Sequence, residues 1–302
     1  MGRIAFVFSG QGDQFPGMGR ELYDKYSSAK QVFDMCDGIR PATSAQCFGG
    51  TDEELKQTKN TQPCLFAMEL AAASVLSDAG IRPEAVAGFS LGEVVACTYA
   101  GMVDRQTGFR LVCKRGELMQ AAAEKQDTSM AAVVKLDNDK VRELCARYSA
   151  VYPVNFNCPG QVSVAGLSAQ MADFAADVRQ AGGRALPIRV KGGFHSPFMN
   201  EAADAFAEEL SEVSFTEGDT VLYSNKTARP YTADAAELLS AQICSPVLWE
   251  ELIRNMISDG IDTFIEIGPG KTLGNMIKKI NSEVRVYSVC DLPAVLSEVA
   301  VC

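Results

Sequence analysis

Apolar positions along the chain fall into segments of alternating period. Residues 4–8 form a short unbroken apolar run of the length of a buried strand, and residues 85–89 form another. Between them, residues 61–79 carry Leu65, Phe66, Met68, Ala72, Val75 and Leu76 at helical spacing, which predicts a helix with a broad apolar face. Thr61 stands where a cap would, Pro63 fits a first turn and Gly80 can stop the helix. The run at 85–89 enters a sharp turn and continues as a helix over 91–99 that Gly101 can end. Asp104 then caps a helix reaching about Lys125.

The rhythm changes in the middle of the chain. Strands at 131–136, 152–156, 162–165 and 185–190 alternate with helices at 139–148 and 169–181. The order β-α-β-β-α-β is the ferredoxin-like pattern, which closes a compact four-stranded sheet on its own. Larger α/β segments then resume, with buried strands at 221–224, 264–267 and 284–289 and helices at 247–258 and 272–280. The expected architecture is α/β: a large core built from 1–127 and 192–302, with a small inserted subdomain at 128–191.

Composition narrows the function classes. The formal charge of −10 over 302 residues argues against generic binding to nucleic acid or anionic lipid, because the summed field repels phosphate. The ten cysteines show no C-x-x-C pair and no metal-ligand spacing, so neither a metal site nor a cofactor is expected. Reduced, buried thiols in a chain of this size point to the cytoplasm. The first residues lead straight into a strand and Gly-Gln-Gly and do not read as a signal peptide. No apolar stretch reaches the roughly 18 residues that a spanning helix requires.

The chemistry begins at Gly88-Phe89-Ser90-Leu91-Gly92, a G-x-S-x-G sequence between an apolar strand and a helix. So tight a turn accepts only glycine on either side of the serine and lifts its hydroxyl clear of the sheet. The helix behind it points its N-terminus at the site, and the Leu91 N–H is the natural first donor to an oxyanion. A second donor normally follows an earlier strand; here Gln11, flanked by two glycines, occupies that place. A neutral serine needs a base, and His195 is the sole histidine of the chain. Several carboxylates lie between Ser90 and His195, and spacing selects none as a triad acid. Arg115 has Leu111, Val112, Leu118 and Met119 at helical spacing, so its guanidinium faces the core and needs an anion. Either a substrate carboxylate or an internal acid such as Glu93 would serve, and spacing alone favours the internal pair.

These residues resemble the malonyl-CoA:acyl carrier protein transacylases of fatty acid and polyketide synthesis, over almost the whole chain. The resemblance is carried by Phe8-Ser9-Gly10-Gln11-Gly12, Gly88-Phe89-Ser90-Leu91-Gly92-Glu93 and Lys114-Arg115-Gly116. It continues through Asn157-Cys158-Pro159-Gly160-Gln161, Phe194-His195-Ser196, Gln242 before Ser245-Pro246-Val247, and Glu266-Ile267-Gly268-Pro269-Gly270-Lys271. The fold implied is an α/β-hydrolase-like core with a ferredoxin-like insert. The roles implied are Ser90 as acyl carrier, His195 as base, the Gln11 and Leu91 N–H groups as oxyanion hole and Arg115 as holder of the malonyl carboxylate. Gln242 would orient the histidine through its main-chain carbonyl, and the partners would be malonyl-CoA and an acyl carrier protein. Phe89 stands where the family commonly has histidine, Asp13 where it often has a small or neutral residue, and Phe194 resembles the malonyl-selecting form. Docking of an acidic carrier requires a local positive patch, for which Arg184, Arg189, Lys191, Lys271, Lys278 and Lys279 are candidates. The alternative from another reaction class is a serine hydrolase acting on acyl-carrier thioesters.

Overall fold

In the computed structural model, residues 2–188, 190, 192–232 and 234–299 are described. The apolar run at the start becomes β1 (Arg3–Phe8), buried from Ile4 onward. It lies at the centre of a five-stranded parallel sheet with β2 (Ala85–Gly88), β7 (Val221–Tyr223), β8 (Ile261–Ile267) and β9 (Arg285–Ser288), in the order β7-β2-β1-β8-β9. A central parallel strand is covered on both faces, which is why β1 reads as a continuous apolar run rather than an alternation. Register pairs Phe8 with Gly88 on one side and with Ile267 on the other. The carboxyl ends of β1, β2 and β8 are therefore level, and the segments that follow them meet at one edge, where open α/β sheets place their ligands.

Four antiparallel strands form the second sheet: β3 (Thr128–Val134), β4 (Val151–Cys158), β5 (Gln161–Leu167) and β6 (Arg184–Ile188), ordered β4-β5-β3-β6. Helices Asn138–Cys145 and Ser168–Gln180 connect them, and Val133, Leu144, Val162 and Phe174 belong to their shared core. The β-α-β-β-α-β reading is thus realised. Arg189 and Lys191, which fall within or beside the last expected strand, lie outside the described residues.

Several boundaries differ from the pattern. The helix expected at 61–79 runs Thr58–Asp78 and holds Pro63 in its interior. Its start is capped from elsewhere, since the Thr58 N–H donates to Gln120 Oε1 at 2.8 Å. The Thr61 hydroxyl instead donates to main-chain oxygens of Leu55 and Gln57. The helix expected from 247 begins at Trp249. Val247 is taken by β4: its N–H donates to the Val154 carbonyl and its carbonyl accepts from the Phe156 N–H, both at 2.9 Å. That bridge ties the second sheet to the returning chain. Helices Arg20–Lys25, Ser27–Ile39, Thr43–Gly49, Asp52–Leu55, Asn200–Ser211 and Ala235–Gln242 were not announced by the apolar pattern. Four of them are short; the longer two do bury residues at helical spacing, Ala29, Val32, Phe33 and Cys36 in one and Ala202, Ala203, Phe206 and Leu210 in the other, but alanine and cysteine keep that signal faint.

Trp249 is fully buried, and its ring meets Phe89, the residue before the elbow serine, edge-on at 5.5 Å. Trp249→Ala is expected to cost about 3–5 kcal/mol of unfolding free energy, read from urea midpoints. A loss below about 1 kcal/mol would contradict a packed role for this ring.

Candidate active site

The turn from β2 into helix Leu91–Tyr99 is made by Ser90 at φ 57°, ψ −108°. Its two glycines are steric necessities. A Cβ on Gly88 would lie 1.8 Å from the Gly92 carbonyl carbon, and one on Gly92 would lie 2.4 Å from the Phe8 carbonyl oxygen. Asn225, just beyond β7, braces the turn: its side-chain oxygen accepts the Ser90 N–H at 2.8 Å and its amide donates to the Gly88 carbonyl at 2.6 Å.

His195 reaches the elbow from the segment following the small sheet. Its Nε2 is 2.7 Å from Ser90 Oγ and its Nδ1 is 2.9 Å from the Gln242 main-chain carbonyl. A carbonyl can only accept, so Nδ1 carries the proton and Nε2 is free to accept from the serine hydroxyl. His195 is itself held at φ 59°, and its N–H donates to the Ile243 carbonyl. One short stretch, 242–243, therefore fixes both ring and backbone of the histidine. Burial, and then the charge of Arg115, push the imidazole down to about 4, so it is neutral at physiological pH.

Arg115 is fully buried below the serine. Its Nη2 donates to Ser90 Oγ at 3.2 Å and to Gln242 Oε1 at 2.7 Å, and its Nη1 donates to Gln62 Oε1 at 2.9 Å. Nε has no partner among the described residues. The internal ion pair favoured by spacing is not made: every acceptor on the guanidinium is neutral. Glu93 is engaged elsewhere, accepting from the Gln242 amide at 2.7 Å, the Tyr231 hydroxyl at 2.6 Å and the Asn225 N–H at 3.2 Å. Burial raises this carboxyl to about 7 despite those donors. Burial also lowers Arg115 to about 10, which leaves it charged at neutral pH.

Above these groups lies a cavity of about 250 Å³ between the two sheets. Ser90, His195, Gln11, Leu91 and Phe194 line one side, and Met130, Asn155, Asn157 and Ile188 the other. Neither the Gln11 nor the Leu91 N–H is hydrogen-bonded among the described residues. The six residues singled out from sequence thus converge. Ser90, His195, Arg115 and Gln242 touch one another, and Gln11 and Leu91 border the same space. The geometry suits acyl transfer through a serine ester: a neutral imidazole nitrogen on the hydroxyl, N–H donors nearby, and a guanidinium whose acceptors are all neutral. Sequence reasoning missed Gln62, Asn225 and Tyr231, and it missed the side-chain role of Gln242. The position of Asn225 directly after a parallel strand was the available signal.

The family model described as the acyl transferase domain matches residues 5–294. The malonyl CoA-acyl carrier protein transacylase of Bacillus subtilis (strain 168) is 38% identical over 300 residues, covering 96% of this chain and 94% of that one. The chain belongs to the malonyl CoA-acyl carrier protein transacylase family. The transacylase structure from Clostridium perfringens superposes with a TM-score of 0.95 at 33% identity, covering 98% of this chain and 97% of that one. A malonyl-transacylase solved with its type II PKS acyl-carrier protein superposes with a TM-score of 0.94 at 32% identity, covering 98% and 99%. Against the family pattern, Phe89 turns its ring to Trp249 and forms part of the cavity wall. Asp13 lies against Gly270, where a Cβ would sit 2.1 Å from its Oδ2.

The sole histidine of this transacylase should give a single set of ring signals in NMR. They are expected to titrate near 4, leaving the imidazole neutral at pH 6. Because the folded value is depressed, protonation favours the unfolded chain as pH falls below the ordinary value of about 6.5. A midpoint near 6.5 would contradict the buried, arginine-facing environment.

Proposed function

We propose that this chain moves malonyl from malonyl-CoA to the phosphopantetheine thiol of an acyl carrier protein, through a malonyl ester on Ser90. The observation that carries this reading is the buried guanidinium of Arg115, satisfied by neutral groups only and 3.2 Å from the serine oxygen. Malonyl is an acyl group ending in a carboxylate. Its entry would exchange neutral acceptors for a charged one, and a planar guanidinium suits a carboxylate bidentately. A hydrolase of simple acyl thioesters has no use for that charge.

Ser90 Oγ attacks the thioester carbonyl as its proton passes to His195 Nε2. The tetrahedral oxyanion is held by the Gln11 and Leu91 N–H groups. The C–S bond breaks and the coenzyme A sulfur takes the proton from Nε2. The carrier thiol then gives its proton to Nε2 and attacks the ester, and Ser90 oxygen leaves with that proton. The Gln242 carbonyl holds the ring in the tautomer both halves require. For the carrier, Lys279 contacts cavity-lining Gln161 at 3.4 Å, and Lys271 precedes cavity-lining Thr272, so this rim supplies positive charge at the mouth. Lys278 is partly spent on the Ser282 and Val284 carbonyls, and Arg184 sits at the start of β6. On the same reading, residues 128–191 are a subdomain inserted into a core of 1–127 and 192–302. Free cysteine thiols, most of them buried, suit the cytoplasm.

Arg115→Ala is expected to lower kcat/KM for malonyl-CoA about a hundredfold, the worth of two charge-assisted hydrogen bonds, while acetyl transfer changes only a few-fold. Equal losses for both would contradict the carboxylate role. Initial rates varied in both substrates should give the parallel reciprocal plots of a ping-pong scheme, and intersecting plots would contradict the covalent route.

A further inference from the structure

A second buried acid stands close to the site but outside the chemistry above. Glu69, on helix Thr58–Asp78, is fully buried. Its Oε1 accepts the Ser9 hydroxyl at 2.5 Å, and its Oε2 has no partner among the described residues. Burial and the neighbouring Glu266 hold the carboxyl well above the usual carboxylate range, Ser9 opposing them only in part. Ionised or protonated, the group offers Ser9 an acceptor oxygen.

Ser9 is the last residue fixed by the sheet before the Gln11 loop. Its N–H donates to the Ile267 carbonyl at 3.1 Å. The segment is confined on both sides. A Cβ on Gly268 would fall 2.3 Å from Ser9 Oγ, one on Gly10 would fall 2.9 Å from the Phe89 carbonyl oxygen, and one on Gly92 would fall 2.6 Å from the Ser9 carbonyl oxygen. Beyond Gln11, the Gly12 N–H donates to Gln14 Oε1 at 2.7 Å, and the Gln14 amide reaches the Leu55 carbonyl at 3.3 Å. Gln11 is therefore slung between two side-chain anchors. The near one ends on a core helix through Glu69, whose second oxygen has no partner among the described residues.

We propose that the buried Glu69–Ser9 hydrogen bond is a positioning device that sets the Gln11 N–H at the oxyanion site. The inference rests on the reading of Gln11 as an oxyanion donor. A donor to a developing charge acts only at the right distance, and a shift of about 1 Å can cost up to a hundredfold. Substrate binding depends on other groups, so loss of the anchor should appear in kcat and not in KM.

The test measures single-turnover acylation of Ser90 by malonyl-CoA, with its substrate dependence, in Ser9→Ala, Glu69→Met and Glu69→Gln. Ser9→Ala and Glu69→Met should each slow acylation about tenfold at unchanged half-saturation. The double variant should be no slower than either single one, because both break one bond. Glu69→Gln, which keeps the acceptor oxygen, should stay within about twofold of the parent. Full rates in Ser9→Ala and Glu69→Met would overturn the proposal. So would a Glu69→Gln variant as slow as Glu69→Met, or losses that appear in half-saturation. Should Glu69→Met fail to fold, Ser9→Ala decides alone, since it leaves the core helix untouched. Gln11→Pro, which lacks the N–H, separates the two ideas: a large loss there beside full-rate Ser9 and Glu69 variants sinks only the positioning role, and no loss there sinks the oxyanion reading itself.

Discussion

A guanidinium that stays charged at neutral pH, buried beneath Ser90, sets the terms for the rest of the site. Taking such a charge out of water costs several kcal/mol, and three neutral oxygens return only part of that. The arrangement around Arg115 is consistent with this demand. Gln242 accepts from it, passes its own amide to Glu93 and to the Ser90 carbonyl, and lends its main-chain carbonyl to His195. One residue thus links the cation, the elbow, the buried acid and the imidazole of His195. Burial first, and then this charge, keep the imidazole unprotonated and so able to accept.

The fold serves this cluster by bringing strand ends to one level. With Phe8, Gly88 and Ile267 in register, the Gln11 loop, the serine elbow and the Gly268 turn converge without long excursions. Contact there is close enough that backbone packs on backbone, which only glycine permits at Gly88 and Gly92. The small antiparallel sheet supplies the opposite wall of the cavity and is bound to the core through Val247.

Much of this was legible in the sequence, for physical reasons that differ by element. Buried parallel strands announce themselves as apolar runs, so β1 and β2 were apparent, whereas β8, interrupted by Asp262, Thr263 and Glu266, was read only over its second half. The alternation of short strands and helices marked the second sheet. The elbow was legible because its glycines are obligatory, and its imidazole partner because only one histidine exists. Arg115 was found for the right reason, a charge on an apolar face, but spacing assigned it an internal acid. Glu93 does lie nearby, yet it is satisfied by Tyr231, Asn225 and Gln242, and pairwise spacing cannot see such competition. Gln62, Asn225 and Tyr231 stayed invisible because their contacts span distant segments. The start of helix Thr58–Asp78 was misread because Gln120, sixty-two residues away, caps it.

The central claim is that Ser90 carries a malonyl group between two thiols, and intact-mass spectrometry addresses it directly. The protein is mixed briefly with malonyl-CoA, weighed, and weighed again after phosphopantetheinylated carrier protein is added. The account predicts one malonyl adduct on the enzyme that disappears as the same mass increment appears on the carrier. An adduct lost to water with the carrier left unloaded, or no adduct at all, would contradict it.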